Sequence, residues 1–337
     1  MMKRFFGRLM AGVVLGMVML GAAPGAELQP VRVGVLQFGT VNWELDVIKS
    51  GKLDEKYGIR LEVVPLAGKD SSHVAMQGGS VDVIVTDWIW VARQRAEGED
   101  FTFVPYSNAV GSVMVPADRG IDSLAALEGR KLGVAGGPVD KTWLLLRAYS
   151  RKTLGRDIKD LLEPQFAAPP LLNQLALKGE LDGVVNFWHF SARLKAAGMQ
   201  PLLEMPEILK ALGIEQAVPL IGWVFRQGWA DAHADAIRGF LQASRDAKQL
   251  MANSDTEWER LRPLMKAEDD GIFTALRDAY REGIPQCFGP GEMEAARATL
   301  TILTELGGKD LVGKVSGWDD GVFWSGFEPG ACEEAKP

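Results

Sequence analysis

The sequence has few of the residues on which catalytic and metal sites depend. Its 337 residues include only three histidines, His73, His189 and His233, at spacings that match no metal-ligand motif. It contains no Gly-x-Ser-x-Gly nucleophile elbow, no phosphate-binding Gly-Lys-Ser/Thr loop and no Cys/His nucleophile pattern. These absences argue against an enzyme, and no metal or other cofactor is expected. The histidines are expected on the surface or in packing, although His189, next to Trp188, could contact a ligand.

Cysteine is equally scarce, with only Cys287 and Cys332. In an oxidising compartment the two could form a disulfide that ties the tail to the body of the protein. Such a bond would contribute about 3–4 kcal/mol in the chain-entropy description. The alternative is a pair of free thiols.

Long apolar runs are also lacking, except at the start of the chain. Lys3, Arg4 and Arg8 precede an apolar run over 9–20, and small residues follow over 21–26. This pattern is typical of a secretory signal peptide, expected over residues 1–26, and the run is short for a membrane span. Removing its three positive charges takes the formal net charge from −7 to −10. An exported acidic protein is a poor candidate for nucleic-acid binding.

A ten-residue pattern occurs twice. The segments 79–88 (GSVDVIVTDW) and 179–188 (GELDGVVNFW) align without a gap, 100 positions apart. Each has a short apolar run between turn signals, which is typical of a buried parallel strand. Polar residues and a tryptophan then fall at the carboxyl end, where open α/β sheets bind ligands. The repeat predicts a cleft between two similar domains, with chance similarity of two βα units as the alternative.

The order of the other elements extends this prediction. Strands over 31–38, 59–65 and 101–106, with helices between them, indicate a parallel, doubly wound α/β sheet. A strand over 110–115 is interpreted as a first crossing to a second unit. A strand over 219–226 is interpreted as the return, and mostly helical sequence follows.

Five segments together carry a resemblance to a known family. They are the loop with Gly39 and Trp43 and the ranges 53–59, 79–83, 121–134 and 179–183. Over about residues 31–230 the chain resembles the periplasmic solute-binding proteins of ABC importers, in the nitrate/sulfonate/taurine (SsuA-like) and thiamine-precursor group. The resemblance implies a type II periplasmic binding protein fold, with two doubly wound α/β lobes and a ligand cleft between them. Lobe 1 is expected over 27–114 plus 219–337, and lobe 2 over 115–218.

The resemblance also implies which positions face the ligand. Carried over by position, they are Trp43, Asp87, Trp88, Ser107, Ser112, Gly136, Gly137, Asp140, Asn186 and Trp188. Many relatives that bind oxyanions present Ser, Thr or Arg at such places, whereas this chain offers acidic, amide and aromatic side chains.

These residue types favour a flat or amine-bearing ligand over an inorganic anion. Trp43 and Trp188 could stack on a ring or hold a cation, whereas Trp90 is expected in the core. Asp87 could pair with an amine or a ring N–H. In the turn over 136–140, proline lacks an N–H and an aspartate supplies negative charge, so this turn is expected to bind a neutral or cationic group, or only to cap a helix.

The leading functional prediction is a monomeric periplasmic receptor. It would capture one small, aromatic or heteroaromatic solute and deliver it to an ABC permease in the inner membrane, without binding nucleic acid. The alternative is an exported accessory or sensor protein of the same fold that binds a protein partner, for example a periplasmic dehydrogenase.

Overall fold

The computed structural model describes residues 27–327. The predicted signal peptide lies outside this range. Cys287 is disulfide-bonded, and its predicted partner Cys332 lies outside the described residues. Between residues 27 and 327, no helix is both long and apolar enough to cross a membrane.

The described residues form ten strands and thirteen α-helices. The strands are β1 (Gln29–Leu36), β2 (Ile59–Leu66), β3 (Val83–Asp87), β4 (Phe101–Ser107), β5 (Val113–Pro116), β6 (Lys131–Ala135), β7 (Glu163–Ala167), β8 (Gly183–Val185), β9 (Met199–Leu203) and β10 (Ile221–Arg226). The helices are α1 (Val41–Ser50), α2 (Leu53–Lys56), α3 (Lys69–Gln77), α4 (Trp88–Ala96), α5 (Lys141–Leu154), α6 (Pro169–Leu177), α7 (Trp188–Ala196), α8 (Met205–Leu212), α9 (Gln227–Ala232), α10 (Ala234–Asn253), α11 (Asp255–Met265), α12 (Asp270–Glu282) and α13 (Pro290–Val312).

The strands form two five-stranded sheets with the same topology. One has the order β2-β1-β3-β10-β4 and the other the order β7-β6-β8-β5-β9. In each, the first three strands are parallel and the fourth is antiparallel to both of its neighbours. That fourth strand is the one that has just crossed from the other sheet. We call the unit built on the first sheet the first lobe and the unit built on the second sheet the second lobe.

The predicted α/β fold class of two lobes is confirmed, with one difference in strand direction. The sequence patterns indicated parallel strands only, but β5 and β10 run antiparallel within their sheets. β5 enters the second sheet directly from β4, without a helical crossover of the kind that joins parallel strands. β10 returns to the first sheet after helix α8. The expected lobe boundary after residue 114 falls inside β5, which pairs with β8 of the second sheet.

The first crossing, residues 108–112 between β4 and β5, passes unusually close to the carboxyl end of β8. A Cβ atom at Gly111 would lie only 1.6 Å from the backbone oxygen of Asn186. Only glycine therefore fits here without moving one of the two segments. This contact holds the first crossing against the carboxyl end of β8, which lies in the second copy of the repeated segment.

The carboxyl-terminal helices lie against both lobes. Helix α10 packs on α1 and β1 of the first lobe, and α12 packs on α7 of the second. Helix α13 contacts both α4 and α5, and so also reaches both lobes. The helical end of the chain is thus placed to influence the angle between the two sheets.

Candidate ligand-binding cleft

Two of the predicted ligand-facing tryptophans, one from each lobe, meet between the sheets. The ring centroids of Trp43 on α1 and Trp188 at the start of α7 are 6.0 Å apart, edge to face. Trp43 is nearly buried and also packs on Trp258 and Tyr280, while Tyr280 in turn contacts Trp188. Edge-to-face pairs of this kind stabilise the contact beyond the area they bury. The two lobes therefore touch through an aromatic cluster.

A buried polar network lies directly behind Trp43. Glu44, the next residue, is completely buried; its carboxylate pairs with Lys248 and accepts hydrogen bonds from Ser244 (2.5 Å) and Tyr280 (2.9 Å). Burial lowers the pKa of Lys248, and the Glu44 carboxylate partly opposes that shift. Because a buried carboxylate is costly without such partners, the network ties α1 to α10 and α12 and fixes the position of Trp43.

Asp87, at the end of β3, binds two lysines across the cleft. Its Oδ2 atom lies 2.9 Å from Nζ of Lys69 in the first lobe and 2.9 Å from Nζ of Lys141 in the second. Its Oδ1 atom accepts the N–H of Trp90 and so caps α4. Burial would raise the pKa of Asp87, but the ammonium groups of Lys141 and Lys69 outweigh it and hold the pKa well below its usual range. Asp87 is thus already neutralised by protein cations.

The turn before α5 functions as a helix cap, one of the two roles expected for it. The Asp140 carboxylate accepts the N–H of Trp143 at 3.1 Å and caps α5. Gly136 and Gly137 both have positive φ, and a Cβ atom at Gly136 would lie 2.8 Å from the Asp140 carboxylate. Burial raises the pKa of Asp140, although N–H donors and nearby lysines oppose the shift. The turn brings this carboxyl group, together with Lys141, to the edge of the cleft.

Two of the predicted ligand-facing residues point away from the cleft. Trp88 is fully buried in the core, against Trp318 and Phe323. The Asn186 side chain is also buried: its amide donates to Asn173 and to the Pro169 carbonyl, and its oxygen accepts the N–H of the next residue. Both side chains are buried, so in this arrangement neither has a surface to offer a ligand.

The two predicted serines belong to the crossing. The Ser107 hydroxyl accepts the N–H of Ala109 and donates to the Gly283 carbonyl at 3.4 Å. The backbone N–H of Ser112 donates to Ser191 at 3.4 Å. These bonds hold the crossing to α12 and α7, so both serines position the crossing.

Two of the histidines, His73 in the first lobe and His189 in the second, have a pKa well below the usual range. His73 stacks on Trp90 with centroids 4.3 Å apart and shares a 2.9 Å hydrogen bond with Thr86. Burial, with Lys69 nearby, lowers the pKa of His73 to about 4. Burial, with Arg193 nearby, lowers the pKa of His189 to about 4 as well. Nδ1 of His189 is buried and has no hydrogen-bond partner among residues 27–327.

Two exposed phenylalanines follow strands, one in each lobe. Phe38 follows β1 and is 80% exposed, and Phe187 follows β8 and is 41% exposed. Both lie at carboxyl ends of strands, on the edge of each sheet that faces the cleft.

Sequence reasoning missed Lys69 and Tyr280. Lys69 begins α3 directly after β2, so the rule that strand ends carry ligands could have identified it. Tyr280 lies in the carboxyl-terminal helices, 92 positions beyond Trp188, and no local pattern connects the two.

Among the described residues, no group of three or more His, Cys, Asp or Glu side chains is arranged to hold a metal ion.

Comparison with known families identifies the chain. The NMT1/THI5 like family matches residues 55–257, which is more than half of the sequence. The chain belongs to the NMT1/THI5 like family. No curated protein matches it significantly.

Solved structures with the same fold agree with this membership. The periplasmic aliphatic sulphonate binding protein SsuA from Escherichia coli is 17% identical, with a TM-score of 0.69 over 92% of this chain and 95% of that one. SsuA from Xanthomonas axonopodis pv. citri, bound to MOPS, is 16% identical, with a TM-score of 0.63 over 88% and 99%. The periplasmic nitrate-binding protein NrtA from Synechocystis PCC 6803 is 12% identical, with a TM-score of 0.54 over 79% and 72%. At these identities the likeness establishes that this NMT1/THI5 like chain shares their fold.

Proposed function

We propose that this protein is the periplasmic solute-binding component of an ABC importer, and that its solute is a small aromatic or heteroaromatic molecule with oxygen acceptors. The observation that carries the proposal is the meeting of Trp43 and Trp188 between two sheets of identical topology. Each lobe contributes one wall of the same site. A ligand held by both walls favours the closed arrangement, which is how hinged binding proteins respond to their ligands.

The aromatic residues supply the surface for the body of the solute. Trp43, Trp188 and Tyr280 form one cluster, and Phe187 lies directly before Trp188. A flat ring entering between the tryptophans would replace their mutual contact with two ring contacts. Because the hydrogen-bonded network around Glu44 holds Trp43 in place, we expect Trp188 and the second lobe to move when the ring enters.

The lysines supply the polar end of the site. Each ammonium group has three N–H donors, and the contact with Asp87 uses one on Lys69 and one on Lys141. The remaining donors suit a carbonyl, carboxylate or sulfonate oxygen. Because Asp87 already binds both lysines, an amine on the solute gains less from it than the sequence alone suggested.

The sequence pattern and the neighbours support the cellular setting. The basic and apolar start of the chain is typical of a signal peptide. The structural neighbours include proteins whose names describe periplasmic sulphonate and nitrate binding. We infer export to the periplasm, a monomeric state and delivery of the solute to an inner-membrane permease, with no catalytic step.

Native mass spectrometry of protein exported to the periplasm tests this proposal. The expected result is one small molecule bound per chain, released on denaturation and identified as an aromatic or heteroaromatic compound. Titration of the stripped protein with that compound should then quench tryptophan fluorescence in a saturable way.

A contrary outcome is equally specific. If the protein is isolated empty, and if pooled aromatic acids, pyrimidines, flavins and sulfonates all fail to give saturable binding, the receptor proposal fails. The exported accessory protein with a protein partner would then be the better reading.

A further inference from the structure

Two helix N-termini lie at the cleft, and a carboxylate of the protein itself caps each of them. Asp87 accepts the N–H of Trp90 at the start of α4. Asp140 accepts the N–H of Trp143 at the start of α5. The N-terminus of a helix attracts negative charge through its free N–H groups and its dipole. At both helices, that charge is already supplied from within the chain.

The two lysines beside these caps are balanced in the same way. Lys69 and Lys141 bond to the same carboxylate oxygen of Asp87, at 2.9 Å each. The Lys69 ammonium also interacts electrostatically with Asp140. His73 adds no charge near neutral pH, because its pKa is about 4. Two ammonium groups therefore face two carboxylates, and their formal charges cancel.

A solute can reach this group of charges without displacing Asp87. The side chain of Lys69 is 55% exposed and that of Lys141 is 19% exposed, whereas Asp87 is nearly buried. Both ammonium groups keep free N–H donors beside the bond to Asp87. A neutral carbonyl oxygen gains these hydrogen bonds at no electrostatic cost.

An anionic oxygen at the same place meets an opposing force. It gains the same hydrogen bonds, but it then lies next to the carboxylate that shares the two lysines. Like charges about 4 Å apart repel strongly where water is partly excluded. The repulsion from Asp87 thus offsets the attraction of Lys69 and Lys141. The lysine donors alone do not distinguish a carbonyl from a carboxylate or a sulfonate, whereas the balance of charge does.

We propose that Asp87 determines the charge of the solute that the cleft accepts, by acting as the internal counterion of Lys69 and Lys141. The solute is then a neutral aromatic or heteroaromatic molecule that presents a carbonyl oxygen, and carboxylates and sulfonates are rejected. This inference rests on the proposed binding of an aromatic solute in the cleft. Because Lys141 belongs to the second lobe, the counterion pairing is complete only where the two lobes approach each other.

Benzamide and benzoate are the probes, because they share a ring and differ mainly in charge. Calorimetric titration of the stripped native protein should show tighter binding of benzamide. Asp87→Asn should bind benzoate about tenfold or more tightly than the native protein does, since an adjacent like charge is removed and both lysines lose their counterion. The amide oxygen of the new side chain can still cap α4, so the backbone of the site is retained.

Three further variants make the test specific. Asp82→Asn is the matched control: it lies directly before β3, loses an ion pair with Arg32 and should gain no benzoate binding. Lys141→Met added to Asp87→Asn should abolish the gain. Asp87→Ser also removes the charge and keeps a capping oxygen, so it replaces Asp87→Asn if that variant does not fold. Benzoate should raise the melting temperature of the charge-removing variants but not that of the native protein.

The inference is overturned if neither Asp87→Asn nor Asp87→Ser binds benzoate more tightly than the native protein. It is also overturned if the native protein binds benzoate as tightly as benzamide, or if Lys141→Met leaves the gain unchanged. The receptor proposal fails on a different result, the lack of any saturable solute for the native protein. A native protein that binds neither probe, with a gain of benzoate binding in Asp87→Asn, supports the role of Asp87 and leaves the solute to be identified by native mass spectrometry.

Discussion

The two copies of the repeated segment end in tryptophans with opposite environments. Trp88 and Trp188 occupy equivalent positions, each as the first residue of the helix that follows a buried strand. Trp88 is fully buried against Trp318 and Phe323, near the end of the described chain. Trp188 instead faces the other lobe and meets Trp43. The same local pattern therefore produces a core residue in one lobe and a cleft residue in the other.

The difference arises from what packs on each strand end. In the first lobe, the segment around Asp320–Val322 returns to pack on α4 and β4 and covers that side of the sheet. In the second lobe, helix α12 packs on α7 but leaves Trp188 in contact with the opposite lobe. A repeat in sequence thus predicts equivalent backbone structure, while distant segments decide which side chain remains accessible.

The largest expected effect is on stability, at the buried member of the pair. Trp88→Ala should lower the free energy of unfolding by roughly 3–5 kcal/mol, because it leaves a large cavity in the core. Chemical denaturation measures this loss. Solute affinity of the folded fraction should stay within about twofold of the native value, since a residue without ligand contact contributes nothing to binding. A variant with native stability and weak binding would instead place Trp88 in the cleft.

Breaking the ion pairs of Asp87 with Lys69 and Lys141 should have an intermediate effect on stability. Asp87→Asn removes the charge that neutralises Lys69 and Lys141 and should cost about 2 kcal/mol at pH 7. Since the folded pKa of Asp87 lies below its value in the unfolded chain, this contribution is present above roughly pH 4 and is lost as the pH falls further. Urea denaturation at pH 7 and at about pH 3 measures it. An equal loss at both pH values would show that the charge is not responsible.

Trp188, the accessible one of the two repeat tryptophans, should affect binding. Trp188→Ala should weaken solute binding at least tenfold, about 1.4 kcal/mol, because the ring contact from the second lobe is lost. Trp229→Ala is the matched control, since Trp229 follows the far end of β10 and stacks on His233 outside the cleft. Fluorescence or calorimetric titration measures both variants. Unchanged affinity in Trp188→Ala would remove that residue from the site.

The smallest expected effect concerns two partly buried histidines with lowered pKa values, His73 in the first lobe and His189 in the second. With folded pKa values of about 4, His73 and His189 bind fewer protons than in the unfolded chain between about pH 6.5 and pH 4. Stability should therefore fall as the pH drops through this window.

His189→Phe tests this by removing one of the two groups. It should reduce the fall in melting temperature between pH 7 and about pH 4.5. His233→Phe, at an exposed position, should leave the fall unchanged. Identical pH profiles for the native protein and His189→Phe would show that this histidine is not held neutral by the fold.

The sequence by itself determined the local elements and their order. The apolar runs, the Gly turns and the 100-residue repeat predicted the strands of the first sheet, β5 and β8 of the second, the two crossings and the two-lobed α/β fold, because each signal lies within a few neighbouring residues. The aromatic pair of Trp43 and Trp188 was expected in the cleft, and the structure brings the two rings together. The ligand roles of these residues remain proposals.

Only the tertiary structure decided which side chains share the site. Asp87 binds Lys141 from 54 positions away, and Tyr280 reaches Trp188 from a helix near the end of the chain. The burial of Trp88 by the returning segment and the internal hydrogen bonds of Asn186 follow from the same kind of contact. Such contacts depend on how the helices and sheets pack, and packing is set by the whole set of buried surfaces rather than by any one stretch of sequence.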